Sequence, residues 1–95
     1  MNRSLQPLPE ELRNGLGSPG KLRILWFLLQ QPSEAFTRYQ LRKTLPLSTR
    51  DMKTDLDSLV KLGWTRELRL RPVKYRANVE NELVQLLGEF FKRAE

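Results

Sequence analysis

The sequence predicts a mainly helical α+β fold, with helices first, then a short β-hairpin, then a closing helix. Three observations point to it. Capping residues stand ahead of apolar runs at Ser18, Thr37 and Ser48. The apolar period changes from helical spacing to two at Trp64, and helical spacing returns after Asn78. With 95 residues and 39% hydrophobic content, the chain is sized for a single domain spanning 1–95 with one modest core.

Residues 1–17 read as an N-terminal arm with a short helix over Pro7 to Asn14, followed by Gly15 and Gly17. Ser18 caps the next helix and Pro19 fits its first position; the helix runs to the break imposed by Pro32. Leu22, Leu25, Trp26 and Leu29 share one face, broadened by Ile24 and Leu28. Thr37 and Gln40 have the spacing of a capping box and open a short helix over about Arg38 to Thr44. Leu41 is its inward anchor, helped by Tyr39 or Leu45. Ser48 caps a third helix, about 49–62, with Met52, Leu56, Leu59 and Leu62 on one face and Gly63 as its stop.

From Trp64 the residues alternate. Trp64, Arg66, Leu68 and Leu70 point one way, and Thr65, Glu67, Arg69 and Arg71 the other. After Pro72, Val73, Tyr75 and Ala77 fit a core face, with Lys74 and Arg76 outward, so 65–77 reads as a hairpin. Asn78 is expected to cap a C-terminal helix over 79–93 whose apolar stripe is Leu83, Leu86, Leu87, Phe90 and Phe91. Trp26 and Trp64 are expected in the core.

A short capped helix, a tight turn containing Leu45-Pro46-Leu47 and a second capped helix make a helix-turn-helix, and the basic hairpin after them makes it a winged helix-turn-helix. Three segments resemble ArsR-like regulators. LRNGLGSPGKLRIL (Leu12 to Leu25) is similar to the "LGDPTRLRIL" segment that opens those proteins. FTRYQLRKTLPLSTRDMKTDLDSLVKLGW (Phe36 to Trp64) is similar to their "ELAERLGLSQSTVSRHLKKLEEAGL", and VKYRAN (Val73 to Asn78) resembles the "YYRLN" that ends their wing. The resemblance spans about Leu12 to Phe91. It implies a transcriptional regulator, usually a homodimer joined through its first and last helices.

Composition narrows the chemistry. The chain has no Cys and no His. That excludes disulfides, thiol nucleophiles, Cys/His zinc sites and histidine-based catalysis. It equally excludes the cysteine and histidine metal sites through which ArsR-like founders sense metals; Glu80 and Glu82 alone would make a weak carboxylate site. No cofactor and no metal site is expected, and no acid/base pair or oriented nucleophile can be assembled, so the chain is not expected to be an enzyme. No signal-peptide core or spanning segment is legible, which leads to the expectation of a soluble, cytoplasmic, nucleoid-associated protein. The last helix has an acidic polar face (Glu80, Glu82, Glu89), unlike a basic interfacial helix, so no membrane partner is expected.

The charge, 17 Lys+Arg against 11 Asp+Glu, favours a polyanionic partner, with double-stranded DNA first. With Met52, Leu56 and Leu59 inward, Thr49, Arg50, Lys53 and Thr54 fall where a recognition helix meets base edges. Asp51, Asp55 and Asp57 balance Arg50, Lys53 and Lys61, so this helix carries no net charge. The excess lies in Arg38, Arg42 and Lys43 before it and in Arg69, Arg71, Lys74 and Arg76 of the hairpin, the candidates for DNA-backbone contact. Leu83, Leu87, Phe90 and Phe91, with Leu5, Leu8 and Leu12, either close the core or form a homodimer interface. A protein-interaction module and a sequence-independent architectural DNA-binding protein stand as alternatives to the regulator. No small-molecule effector is legible.

Overall fold

Ser18 opens the most deeply set helix of the computed structural model, which describes residues 10–94. Its hydroxyl accepts from the Lys21 N–H at 3.2 Å, and Pro19 takes the first helical position. The elements follow in the order α1 (Glu10–Leu16), α2 (Pro19–Gln30), α3 (Arg38–Thr44), α4 (Thr49–Leu62), β1 (Thr65–Leu68), β2 (Lys74–Ala77) and α5 (Glu82–Ala94). This is the expected α+β class of helices around one antiparallel hairpin. Among the described residues, no helix is long and apolar enough to cross a membrane.

The α2 face is centred differently from the expectation. Ile24, Leu25 and Leu28 are fully buried, Leu22 and Leu29 are half-buried, and Trp26 is 42% exposed. Two residues beyond Ile24 is about 200° around a helix of 3.6 residues per turn, so Trp26 is turned away from the buried stripe. The helix is apolar almost all round, and that hid the centre of its face.

Helix α3 forms the complete capping box. Gln40 N–H donates to the Thr37 hydroxyl at 3.1 Å, and Thr37 N–H donates to the Gln40 side chain at 2.9 Å. Leu41 anchors it inward, and Leu45 is the helper because Tyr39 is 66% exposed. In α4 the Ser48 hydroxyl accepts from Asp51 N–H at 3.0 Å, and Met52, Leu56 and Leu59 enter the core. Gly63 ends this helix in the left-handed conformation at φ 80°, which side chains disfavour.

The hairpin pairs Thr65 with Ala77, Arg66 with Arg76, Glu67 with Tyr75 and Leu68 with Lys74. Thr65, Glu67, Tyr75 and Ala77 therefore share the inner face, and Arg66, Leu68, Lys74 and Arg76 the outer one. This inverts the expected phase of the first strand. Trp64 is fully buried, but its N–H is bonded to Leu59 O as part of the α4 stop, so its burial does not set the strand phase. Val73 and Leu70, both over one third exposed, lie in the connection between strands, as do Arg69 and Arg71. On its other edge, β2 pairs with Phe36 through mutual bonds to Tyr75 at 2.8 and 2.7 Å.

Asn81, not Asn78, caps α5: its Oδ1 accepts from Val84 N–H at 3.1 Å. Asn78 instead holds the turn before it, donating to Gly63 O at 2.7 Å and accepting from Arg66 Nε at 3.0 Å. The core anchor of α5 is Val84, fully buried, which the apolar stripe had omitted.

Helix α1 extends to Leu16 and so contains Gly15, which was expected to lie beyond its end; Pro7 to Pro9 lie outside the described residues. Gly15 is buried against the Trp64 ring, and a Cβ there would come within 2.2 Å of two ring carbons. Helix propensity alone would favour Ala over Gly by about 1 kcal/mol. Overpacking costs about 1–3 kcal/mol. Gly15→Ala is therefore expected to lower stability in urea unfolding, whereas Gly88→Ala, whose Cβ meets Leu29 at an ordinary 3.8 Å, is expected to be neutral or stabilising. Equal or higher stability of Gly15→Ala would refute this account of the α1–Trp64 contact.

Candidate nucleic-acid interface

Leu45, Pro46 and Leu47 turn the chain so that the end of α3 meets the start of α4. Leu45 N–H closes α3 on Leu41 O at 2.8 Å, and the half-buried Leu47 side chain packs on the core. This turn places Arg38, Tyr39 and Arg42 of α3 beside Thr49, Met52 and Lys53 of α4 around one cleft of about 230 Å³. Arg42 donates through Nη1 to the Thr49 hydroxyl, joining the two helices across it. The Lys43 ammonium lies 5.4 Å from the Tyr39 ring centre, within cation–π range.

Of the base-reading candidates, Thr49 and Lys53 line this cleft. Arg50 and Thr54 are exposed on α4 outside it. Thr54 lines a second cleft of about 470 Å³ between α4 and β1, with Asp57, Ser58, Val60, Lys61 and Glu67. Of the backbone candidates, Arg38 and Arg42 line the first cleft and Lys43 stands beside it on Tyr39. Arg69 and Arg71 are exposed in the connection of the hairpin, while Lys74 and Arg76 are half-buried on its outer face. Tyr39 is a member of the cleft that the sequence did not single out, since its ring reads there as an alternative to Leu45 in helping the Leu41 anchor. Its sequence signal is its place between Arg38 and Arg42.

Two ion pairs form among the described residues, Lys53–Asp57 at 3.0 Å and Arg66–Glu80. Arg38, Arg42, Lys43, Arg50, Arg69, Arg71, Lys74 and Arg76 are in neither. The Lys53–Asp57 pair spans one helical turn with both side chains more than half exposed. Such pairs contribute about 0.3–0.5 kcal/mol, so a competing anion displaces them readily. The burial of Tyr75 pushes its phenol above the ordinary value of 10.0, opposed by the nearby Arg38 charge. It therefore stays neutral, and its hydroxyl faces Glu67 Oε2 at 3.4 Å.

The dimer candidates divide. Leu5 and Leu8 lie outside the described residues. Leu12, Leu83 and Leu87 pack against the core, and Phe91 is half-buried beside Trp26 in a cleft that also includes Gly88. Phe90 is 64% exposed, as is the neighbouring Leu86 at 61%. No cluster of three or more Asp or Glu side chains able to hold a metal ion occurs among the described residues. Compared with known proteins, the chain matches no family model, no curated protein and no solved structure.

The three carboxylates of α4 differ in surroundings. Asp51 stands exposed in its first turn, and Asp57 is paired with Lys53. Asp55 faces Gly20 in the first turn of α2, where a Cβ would meet its Oδ2 at 2.2 Å. Burial there raises its pKa from 3.8; Lys21 opposes the shift and Asp51 adds to it. A carboxyl raised in the folded state stabilises the fold when protonated. That contribution is fully present below 3.8 and is lost as pH rises through the folded-state value. Asp55→Asn, which mimics the neutral form, is thus expected to melt above the native chain at neutral pH, with the gap closing in acid. A native chain that melts higher at neutral pH would contradict this sign.

Proposed function

We propose that the chain is a winged helix-turn-helix transcriptional regulator that binds double-stranded DNA sequence-specifically as a homodimer. In this reading α3 and α4 are the helix-turn-helix, α4 is the recognition helix and β1–β2 the wing. The observation that carries it is the convergence of Arg38, Arg42, Thr49 and Lys53 on one exposed cleft at the α3–α4 junction. The added strand pairing of Phe36 with β2, ahead of α3, suits the same architecture.

The chemistry follows from the groove. A major groove about 12 Å wide admits a helix of about 10–12 Å diameter. Arg50 and Lys53 suit the guanine O6 and N7 acceptors, and Thr49 and Thr54 can hydrogen-bond a base or meet a thymine methyl. Arg38, Arg42 and Lys43 then face phosphates at one side, and Arg69, Arg71 and Lys74 at the other, fixing register without reading sequence. On binding, Lys53 exchanges the Asp57 carboxylate for DNA. A protein with this role acts in the cytoplasm, on the chromosome.

The second copy is assigned to α5. Leu86 and Phe90 stand one turn apart, both more than 60% exposed, and continue the apolar side of a helix whose Val84 and Leu87 already face the core. A two-fold pairing there would set two recognition helices for a palindromic site.

Selection from a random DNA pool at near-physiological salt is expected to yield a palindromic motif. Arg50→Ala or Lys53→Ala should then cost about 1–3 kcal/mol on that motif while leaving random DNA bound. Charge reversal of Arg69, Arg71 and Lys74 should weaken all duplexes and flatten the salt dependence by about 0.9 for each phosphate no longer neutralised. An unenriched pool with dense binding to random DNA would favour the architectural role, and no binding even at low salt would favour a protein-interaction module. In sedimentation equilibrium the native chain is expected to be a dimer, and Leu86→Glu/Phe90→Glu a folded monomer. A monomeric native chain at micromolar concentration would remove the dimer from the mechanism.

A further inference from the structure

On the outer face of the hairpin, Arg66 and Arg76 are directly opposed across the strands. Directly opposed cross-strand side chains have Cβ atoms about 4.5–5.5 Å apart, and like charges so placed destabilise a sheet. The two arginines are not equivalent. Arg66 is held in place by Asn78 Oδ1 at 3.0 Å and by the Glu80 carboxylate. Arg76 is half-buried and takes part in no ion pair or side-chain hydrogen bond among the described residues. Two guanidinium groups thus stand beside one carboxylate, which pairs with Arg66 and leaves Arg76 without a counter-charge among the described residues.

The pair borders a cleft of about 470 Å³ whose other walls include Ser33, the apolar surfaces of Pro32 and Val79, and Glu80. Small-ligand sites usually measure about 300–1,000 Å³ and combine apolar walls with few convergent polar groups. The cleft opens at the outer face of the hairpin, where Arg66 and Arg76 stand, and reaches Ala77 at its edge, while Glu67 borders the separate α4 cleft.

We propose that this cleft binds a small organic oxyanion, a phosphate monoester or carboxylate with an apolar body. Arg76 receives the anionic head in the two-pronged geometry that guanidinium groups offer to such groups. Arg66, oriented by Asn78, adds a second cation, and the head competes with the Glu80 carboxylate for it. The apolar body lies against Pro32 and Val79. The bound anion neutralises the charge that the Arg66–Arg76 register leaves uncompensated. The site is separate from the proposed base-reading surface and does not rest on that reading.

The test uses the full chain, isotopically labelled for NMR and titrated at constant ionic strength with two probes, inorganic phosphate and phenyl phosphate. Saturable shifts are expected around Ser33, Arg66, Arg76 and Glu80, with phenyl phosphate the tighter ligand because it also fills the apolar wall. Arg76→Gln should weaken both probes about tenfold or more. It should not lower the melting temperature, because it relieves the Arg66–Arg76 repulsion. Glu80→Gln should tighten phenyl phosphate by removing the competitor, and Arg71→Gln should leave both probes unchanged. Shifts that fail to saturate, or losses equal in Arg71→Gln and Arg76→Gln, would overturn the site. A duplex-binding arm separates the two sources of phosphate. Phenyl phosphate shifts at Arg76 in the duplex-free chain support the site; if Arg76→Gln weakens duplex binding and phenyl phosphate leaves the cleft unshifted, Arg76 serves the DNA backbone and the proposal fails.

Discussion

Trp64 ties together α1, the end of α4 and the base of the hairpin. Its ring is fully buried and lies against Gly15 of α1, and its indole N–H donates to Glu11 at 2.5 Å. Its backbone N–H closes α4 on Leu59, and its carbonyl accepts from Asn78 N–H at 2.9 Å, where the chain leaves β2. One residue thereby fixes the exit of α4, the base of the hairpin and the docking of α1. A buried indole without a partner for its N–H would incur a desolvation penalty of about 1–3 kcal/mol, which the Glu11 carboxylate removes. The direction in which the hairpin leaves α4 is set at this joint, and with it the relation between the helix junction and the basic connection of the hairpin.

The charges sort by surroundings more than by sequence. The carboxylates of α4 differ: Asp57 pairs with Lys53, Asp55 packs against Gly20 in the first turn of α2, and Asp51 stands exposed. Among the described residues the arginines of α3 have no carboxylate partner, and one of them, Arg42, bonds to a neutral hydroxyl. A helix of zero net charge thus stands next to a surface of uncompensated cations. In the proposed DNA-binding role, long-range attraction to the polyanion would come from α3 and the hairpin and short-range hydrogen bonding from α4, which would separate affinity from discrimination.

What was legible in the sequence was local. The Thr37–Gln40 and Ser48–Asp51 spacings specify hydrogen bonds that close within one turn, so α3 and α4 begin where those residues stand, and Gly63 ends α4 for an equally local reason. What was not legible depended on neighbours distant in sequence. Trp26 reads as core until α4, α5 and β2 take their places on α2 and leave it outside. Asn78 reads as a cap, but Gly63 and Arg66, brought close only by the hairpin, claim its side chain. The phase of β1 could not be inferred from Trp64, because that residue belongs to the end of α4. The candidate cleft was half legible: its cations were identified, but Tyr39 and the Arg42–Thr49 bond require the angle between two helices.

The pairing of Phe36 with Tyr75 has a consequence for the sheet as a surface. With Phe36 bridged to Tyr75 on one side and β1 along the other, β2 is flanked on both sides at Tyr75, and β1 is an edge strand of the two-stranded sheet. By the alternation of antiparallel bonds, the outward backbone groups there belong to Thr65 and Glu67. An open edge invites a foreign strand, and short length and charge are the usual protections. This edge offers two residues, one already buried among its neighbours and the other a carboxylate. The hairpin can thus project a basic tip into solvent without offering its own backbone as a template for aggregation.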